Sequence, residues 1–350
     1  MIDLLATIEG CLAKGEEIAV ATVVRVIGSA PRPVGARMIV SSAGRMAGSV
    51  SGGCVETTVY REMMDLLEGG APRLLRFGIT EDMIWEVGLA CGGTIEVFVH
   101  RLDPALIETL KDSVERGRPI ALATTLTGKA AGRVRPVTPD EVAPGPDDAE
   151  VVRLAQEMLA TRAQVGAVHE VAPGIEVFIE PFLPPPLLVL IGGVHVAIPL
   201  SRFAKELGFR VIVADPRATF ANRERFPDAD QVLVAWPDEA LAQLKVDRST
   251  YLVLLTHDPK IDEPALAAAL QTDAAYIGAI GSRKTHAGRF RRMQKWGITP
   301  EQMQRIYAPI GLDLGGRTPE ETALSILAEV VAVKNGRKGG FLRDSNREVA

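Results

Sequence analysis

Leu187-Leu188-Val189-Leu190-Ile191-Gly192-Gly193-Val194-His195-Val196-Ala197 decides the fold. A short, unbroken apolar run enters a glycine pair, and a stretch with helical spacing follows over 198–207 until Gly208 closes it. Apolar runs at 211–214, 231–235, 251–255 and 275–280 repeat the pattern, with another helical stretch over 263–270. Continuous apolar strands separated by helices suit a parallel sheet covered on both faces, because each strand must bury both of its sides. The C-terminal half is therefore expected to be a Rossmann-like, doubly wound parallel sheet.

Upstream, Pro181-Phe182-Leu183-Pro184-Pro185-Pro186 removes backbone donors and favours an extended connection, which places a domain junction there. The 350 residues suit two domains, 1–183 and 184–350. Residues 136–148 mix Pro, Gly and Asp and are expected to form a loop inside the first domain, with helical periodicity resuming at Val151. Before the junction, β-branched runs at 18–27, 38–40, 94–99, 120–126 and 175–179 alternate irregularly with helices. Asp103-Pro104 and Gly117 read as the cap, first-turn proline and stop of one of those helices. A mixed α+β N-terminal domain is expected, making the whole an α/β chain.

The composition, 47% hydrophobic and 24% charged, is that of a folded globular protein, and the apolar runs are too short to cross a bilayer. Leu5, Ile8 and Leu12 fall at helical spacing with Asp3 and Glu9 between them, unlike a secretory signal. The three cysteines, Cys11, Cys54 and Cys91, form neither a paired disulfide framework nor a CxxC metal motif, so reduced thiols in the cytoplasm are expected. A net charge of -5 offers no general attraction to a phosphate backbone. Neither nucleic acid nor a membrane is expected as a partner.

The glycine turn has the layout of a dinucleotide fold. Gly192 and Gly193 precede a helix N-terminus, and the next strand ends at Asp215, 23 residues beyond Gly192, where a carboxylate can hold a ribose. The fingerprint is interrupted, however: Val194 stands where a second glycine would let a pyrophosphate approach the backbone, and its branched side chain crowds that approach. NAD(P) has the sheet pattern in its favour and Val194 against it. His195 reads either as a donor to a phosphate or pterin or as a solvent-facing cap. Asp215-Pro216-Arg217 either binds ribose and phosphate or simply turns the chain.

Gly278-Ala279-Ile280-Gly281-Ser282-Arg283-Lys284 is a stronger anion signal. A strand enters a turn at Gly281, and Ser282, Arg283 and Lys284 bring a hydroxyl and two cations to an expected helix start. Farther on, Pro309-Ile310-Gly311-Leu312-Asp313-Leu314-Gly315-Gly316 is a glycine-rich loop, and Thr318-Pro319-Glu320-Glu321 is a helix start with a capping box.

In the N-terminal half, Arg32 lies in the loop Gly28-Ser29-Ala30-Pro31-Arg32-Pro33-Val34-Gly35-Ala36-Arg37 between strands. Cys54 follows Gly52 and Gly53 before a helix, and Cys91 precedes Gly92 and Gly93 before a strand. A glycine pair lets backbone approach a ligand and leaves the sulfur little steric cover. Cys11, on a plain amphipathic stretch, reads as a small buried hydrophobe. His100 and His169 lack cysteine partners at zinc spacing, so no structural zinc cage is expected. A thiol nucleophile with a histidine base stays open, with no local signature to pair the two.

Four segments together resemble the XdhC/CoxI family over nearly the whole chain: GSAPRPVGARMIVSSAGRMAGSVSGGCVE at 28–56, GLACGG at 88–93, YIGAIGSRK at 276–284 and PIGLDLGGRTPEETALSILAEV at 309–330. THD at 256–258 and ADPR at 214–217 look like family segments as well. Val194 departs from the family's Gly-x-Gly-His turn. The resemblance implies a cytoplasmic, non-catalytic maturation factor that binds the molybdenum cofactor (molybdopterin) as a chaperone. Such a protein protects the cofactor, presents it for sulfuration by a cysteine desulfurase and inserts it into an apo molybdenum hydroxylase such as xanthine dehydrogenase or carbon monoxide dehydrogenase. A homo-oligomer, a dimer, is the expected assembly.

On that reading Cys91 and Cys54 meet the molybdenum or its sulfido ligand, with Gly52, Gly53, Gly92, Gly93 and Arg32 beside them. Gly192, Gly193, His195, Asp215, Arg217, Gly281, Ser282, Arg283 and Lys284 are expected at the pterin or phosphate end, with the cofactor in a cleft between the halves. The alternatives are an NAD(P)-dependent oxidoreductase and a scaffold that binds no pterin.

Overall fold

The computed structural model describes residues 1–78, 93–142 and 145–344. The chain divides into two compact units, one built from Met1–Pro184 and one beginning at Pro185.

The N-terminal unit starts with α1 (Leu5–Leu12), followed by β1 (Ile18–Ile27), β2 (Arg37–Ser41), β3 (Met46–Gly48), α2 (Glu56–Leu67), β4 (Arg73–Phe77) and β5 (Thr94–Arg101). Its strands form an antiparallel sheet in the order β3-β2-β1-β5-β4. Alternate residues of β1 serve two cores. Ala19, Ala21 and Val23 pack beneath Val59, Met63 and Leu66, which α2 presents at helical spacing. Ile18 and Val20 turn the other way, toward Ile8 of α1 and the residues of α3 (Pro104–Glu115). Asp103 caps α3 by accepting the Ala105 N–H, with Pro104 in the first turn.

After α3 come β6 (Ile120–Thr125), β7 (Val134–Val137), α4 (Pro146–Ala160), β8 (Ala167–Ala172) and β9 (Ile175–Phe182). They form a second antiparallel sheet, β7-β6-β9-β8. The loop expected at 136–148 is shorter than its composition suggests. Pro136 belongs to β7, an edge strand where a missing N–H is tolerated, and Pro146 already lies in the first turn of α4. Likewise Pro181 and Phe182 are strand residues paired with Ala121 and Ile120, so the proline-rich connection is briefer than its sequence. β8 pairs with β9 only as far as Ile179, which leaves Pro181 free of any obligation to donate on that side.

The C-terminal unit comprises β10 (Leu187–Ile191), α5 (Ala197–Glu206), β11 (Arg210–Ala214), β12 (Gln231–Leu233), α6 (Pro237–Ala242), β13 (Thr250–Leu254), α7 (Pro259–Leu270), β14 (Tyr276–Ala279), α8 (Arg283–Met293), α9 (Pro300–Met303), β15 (Ile306–Tyr307) and α10 (Pro319–Lys334). All six strands are parallel, in the order β12-β11-β10-β13-β14-β15. Leu187, Val189 and Ile191 join one core with α7, while Leu188 and Leu190 join a second with α5 and α10. Helices on both faces explain why these strands carry no polar alternation. α7 begins ahead of the expected helical stretch because Asp258 caps it, accepting the Lys260 N–H. Among the described residues, no helix is long and apolar enough to cross a membrane.

Candidate functional site

In this strand order the chain leaves β10 toward β11 on one side and later returns to β13 on the other, so a crevice opens where the carboxyl ends of β10 and β13 diverge. A cavity of about 770 Å³ lies there, lined among others by Val194, His195, Arg217, His257 and Arg317. His195 and His257 follow the ends of β10 and β13, and Arg317 precedes α10. Among the described residues Arg317 has no carboxylate within ion-pair distance, so its charge is available to a ligand.

The glycine turn is built for packing. A Cβ on Gly192 would stand 2.5 Å from the Thr256 methyl, and one on Gly193 would overlap the Phe220 carbonyl. The N–H groups of its two glycines are already engaged: Gly192 donates to Ala214 O at 2.8 Å and Gly193 to Asp215 Oδ2 at 3.0 Å. Asp215, fully buried, also accepts the Arg217 N–H at 2.9 Å and two guanidinium bonds, from Nε and Nη2, both at 2.8 Å. Burial pushes its carboxyl up, but the Arg217 side chain and N–H and the Gly193 N–H outweigh that and hold it below the usual range. Neither oxygen is left for a ribose. Arg217 is kept at the cleft by stacking its guanidinium 3.9 Å above the Phe220 ring.

At the far edge of the same cleft, β14 runs through Ile280 into the turn at Gly281, and Ser282 caps α8 by accepting the Thr285 N–H at 3.2 Å. Ser282, Arg283 and Lys284 are exposed. Beneath them lies a buried polar cluster. Arg289 pairs with Asp262 at 2.7 Å, and Asp262 in turn accepts the hydroxyl of Thr256, a cleft residue. Arg289 also reaches Ile280 O and, at 3.0 Å, Nδ1 of His286. The cluster ties α7, α8 and the end of β13 together below the cleft floor.

In the N-terminal unit the topology gathers two of the loops singled out by sequence. Ile27 pairs with Thr94, Thr22 with Arg37 and Met38 with Gly48, so the segments after β1 and before α2 leave the same end of the sheet, the end at which β5 begins. Gly93 is buried there, and a Cβ on it would collide with the backbone of Ile27 and Ser29. Arg32 is exposed on the first loop. Cys91 and Gly92 lie outside the described residues.

The loop bearing Cys54 winds around one carboxylate. Glu56 accepts the backbone N–H groups of Val50, Ser51, Gly52, Gly53 and Val55 and the hydroxyls of Ser49 and Ser51. Desolvation pushes this carboxyl up, yet the two hydroxyls and the Ser51 N–H bring it down to about 2. The cage turns Gly52 and Gly53 through positive φ with open space around them, and it leaves Cys54 exposed while Cys11 is buried in a core. A glycine pair expected to let backbone approach a ligand and leave the sulfur uncovered sits in a loop whose N–H groups turn to Glu56 instead, and the thiol is exposed.

Several of these groups escape a reading of the sequence alone. Arg317 is separated from the glycine turn by more than a hundred residues, and Asp262, His286 and Arg289 look like ordinary helix polar positions. Glu56 carried a signal that could have been used, since a carboxylate opening a helix after a Ser- and Gly-rich loop is a capping arrangement.

Fold and site together define the class: a chain with a Rossmann-type unit whose switch-point cleft is lined by cations rather than by a free glycine-rich phosphate loop, joined to a two-sheet unit that displays a cysteine loop. The model of the XdhC and CoxI family matches residues 11–78, and that of the XdhC Rossmann domain matches 188–330. The chain belongs to the XdhC and CoxI family. Over 332 residues it is 28% identical to a Bacillus subtilis (strain 168) protein named as a probable xanthine dehydrogenase subunit, covering 93% of this chain and 96% of that one. Over 326 residues it is 29% identical to the molybdenum cofactor insertion chaperone PaoD of Escherichia coli (strain K12), covering 92% and 85%. A Bacillus halodurans protein solved as a xanthine dehydrogenase has the same fold, with a TM-score of 0.67 at 25% identity over 98% of both chains.

Proposed function

We propose that this protein is a molybdenum-cofactor chaperone that protects the cofactor, supports its sulfuration by a cysteine desulfurase and inserts it into an apo molybdenum hydroxylase of the xanthine dehydrogenase or carbon monoxide dehydrogenase kind. One observation carries the reading: the chain matches, over 92% of its length, a relative named for inserting that cofactor.

The chemistry of the residues fits such a cargo. A pterin dithiolene with a terminal phosphate calls for cations and N–H donors at one end and a soft ligand near the metal. In the C-terminal unit His195, Arg217 and Arg317 line a cleft of about 770 Å³, and the α8 turn of Gly281, Ser282, Arg283 and Lys284 stands at its edge. These are the groups we assign to the phosphate or pterin end, with Gly192, Gly193 and Asp215 as the framework that fixes Arg217. In the N-terminal unit Cys54 is an exposed thiol on a rigid loop, and we assign it to the metal or its sulfido ligand, together with Cys91. The bound cofactor supplies the redox-active molybdenum that the client enzyme uses. An NAD(P) oxidoreductase is the weaker reading, because Asp215 and the Gly193 N–H bond to each other.

The test is to purify the protein from a host that makes the cofactor, denature it under oxidising conditions and look for the fluorescence of a released pterin derivative, with an NAD(P) titration alongside. Pterin release without nicotinamide binding is expected. Pterin-free protein from such a host, or hydride transfer to a carbonyl substrate, overturns the reading.

A further inference from the structure

The outward face of α10 departs from the pattern of its neighbour. Ala323, Ile326, Leu327 and Val330 point into the core that α10 shares with α5 on one side of the sheet. α5 turns Arg202 and Glu206 to solvent, as a surface helix does. α10 instead presents Leu324, Ala328 and Val331, a stripe at spacings of four and three residues on the side away from the core, with Ala332 beside it. Leu324 is 54% exposed, so nothing in the chain covers the middle of the stripe.

Two further leucines extend the apolar surface. Leu314, also 54% exposed, belongs to the loop whose Gly316 packs against Glu321. Leu207, 52% exposed, stands two residues before Phe209, over whose ring Lys334 reaches at 5.8 Å.

The order of groups along the helix says what covers this face. The first turn carries Glu320 and Glu321, and the last carries Lys334. Leu324 and Val331 stand equally far in sequence from a point between Leu327 and Ala328, and so do Glu321 and Lys334. A stripe with that symmetry complements itself when turned end for end: apolar positions meet apolar ones, and each acidic end meets a basic one. Antiparallel helices also oppose their dipoles favourably. Glu321 is committed to its own cap, accepting the Arg317 and Thr318 N–H groups. Glu320 is exposed and has no ion-pair partner among the described residues, so it is the free acid at that end.

We propose that α10 is the surface through which two copies of this chain associate, the helices lying antiparallel about a two-fold axis at Ala328. The small Ala328 and Ala332 let the backbones approach, Leu324 packs by Val331 of the second copy, and Glu320 stands opposite Lys334 of the second copy. A second copy accounts for the symmetry of the stripe, which an unrelated partner leaves unexplained. Because Arg317, Pro319 and Thr322 line the cleft, the association sets the basic last turn of one copy beside the cleft rim of the other.

The test is sedimentation equilibrium of the full chain over a series from about 1 to about 100 μM, the range in which a small interface associates. A concentration-dependent dimer is expected. A328E sets two like charges against each other at the axis and should weaken it by about tenfold or more. E320K and K334E each bring like charges together at both ends and should weaken it by about threefold to tenfold, while E320K/K334E restores the wild-type constant to within about twofold. A loss that is merely structural adds up in the double variant, so only an antiparallel contact between copies is repaired by the exchange.

Should A328E not fold, the charge exchange carries the test. A chain that stays monomeric over the whole series, a dimer indifferent to A328E, or single variants that the exchange does not rescue overturns the proposal. A monomer whose thermal midpoint falls in A328E overturns it as well, by assigning the face to a contact within the chain.

Discussion

Asp215 Oδ2 accepts the backbone N–H of Gly193 at 3.0 Å while the same carboxylate grips Arg217 through three further bonds. The residue that a dinucleotide fold reserves for a ribose is here a strut between the glycine turn and a cleft arginine. Asp215→Ala is expected to cost about 1–3 kcal/mol by leaving a buried N–H unsatisfied, read as a lower midpoint in urea. NADH fluorescence titration of the wild-type protein should show no saturation. The folded carboxyl is depressed, so its contribution to stability is complete above the unfolded value of 3.8 and is lost as pH falls through the folded one. The pH dependence of the urea midpoint should flatten in D215A within that acid range.

Glu56 makes a separate prediction about the cysteine loop. Glu56→Ala removes the acceptor for five N–H groups and two hydroxyls, so the loop should loosen. Hydrogen exchange at Ser51, Gly52 and Gly53 is expected to rise by at least tenfold, while the core amides of β1 stay protected. Wild-type loop protection should hold down through pH 4.5 and fade only toward pH 2, because the caged carboxyl is depressed to about 2. Unchanged exchange in E56A would remove the cage from the account of how Cys54 is displayed.

Arg289 and Asp262 are 2% and 3% exposed at their side chains, so truncating one strands the other's charge. R289M is expected to destabilise by about 3–5 kcal/mol, and R289M/D262L by distinctly less, since the double change leaves no unpaired ion. A double-mutant cycle by chemical denaturation measures the coupling, and strict additivity would contradict it.

Glycines that look equivalent in sequence should separate by cost. Gly193→Ala drives a Cβ into the Phe220 carbonyl and is expected to cost about 1–3 kcal/mol or more through overpacking. Gly52→Ala meets open space and pays only for its φ of 77°, about 1 kcal/mol. Thermal melts of the two variants should rank in that order.

The architecture of the C-terminal unit is legible from residue pattern because its strands bury both faces, which writes unbroken apolar runs such as Leu187–Ile191. β1, β5 and β9 are legible for a similar reason, whereas β7, with Pro136 on a sheet edge, and β8, half exposed, lack the apolar signature. The helix start after Gly281 is readable, and Ser282 is its cap. What Asp215 does is not readable, because a ribose acceptor and a strut for Gly193 use the same residue at the same place, and only the position of Arg217 decides. Asp262 and Arg289 stand 27 residues apart on different helices, and no local pattern pairs them.

The carboxylate cage around the cysteine loop also bears on timing. A loop that carries its own anion has finished rearranging before any visitor arrives. On the proposed reading its thiol would then be offered in one conformation at first collision, and capture there would be set by how often partners meet and not by a slow reshaping step. The same preorganisation makes release quick to reverse, a useful property in a protein whose task is to pass its cargo on.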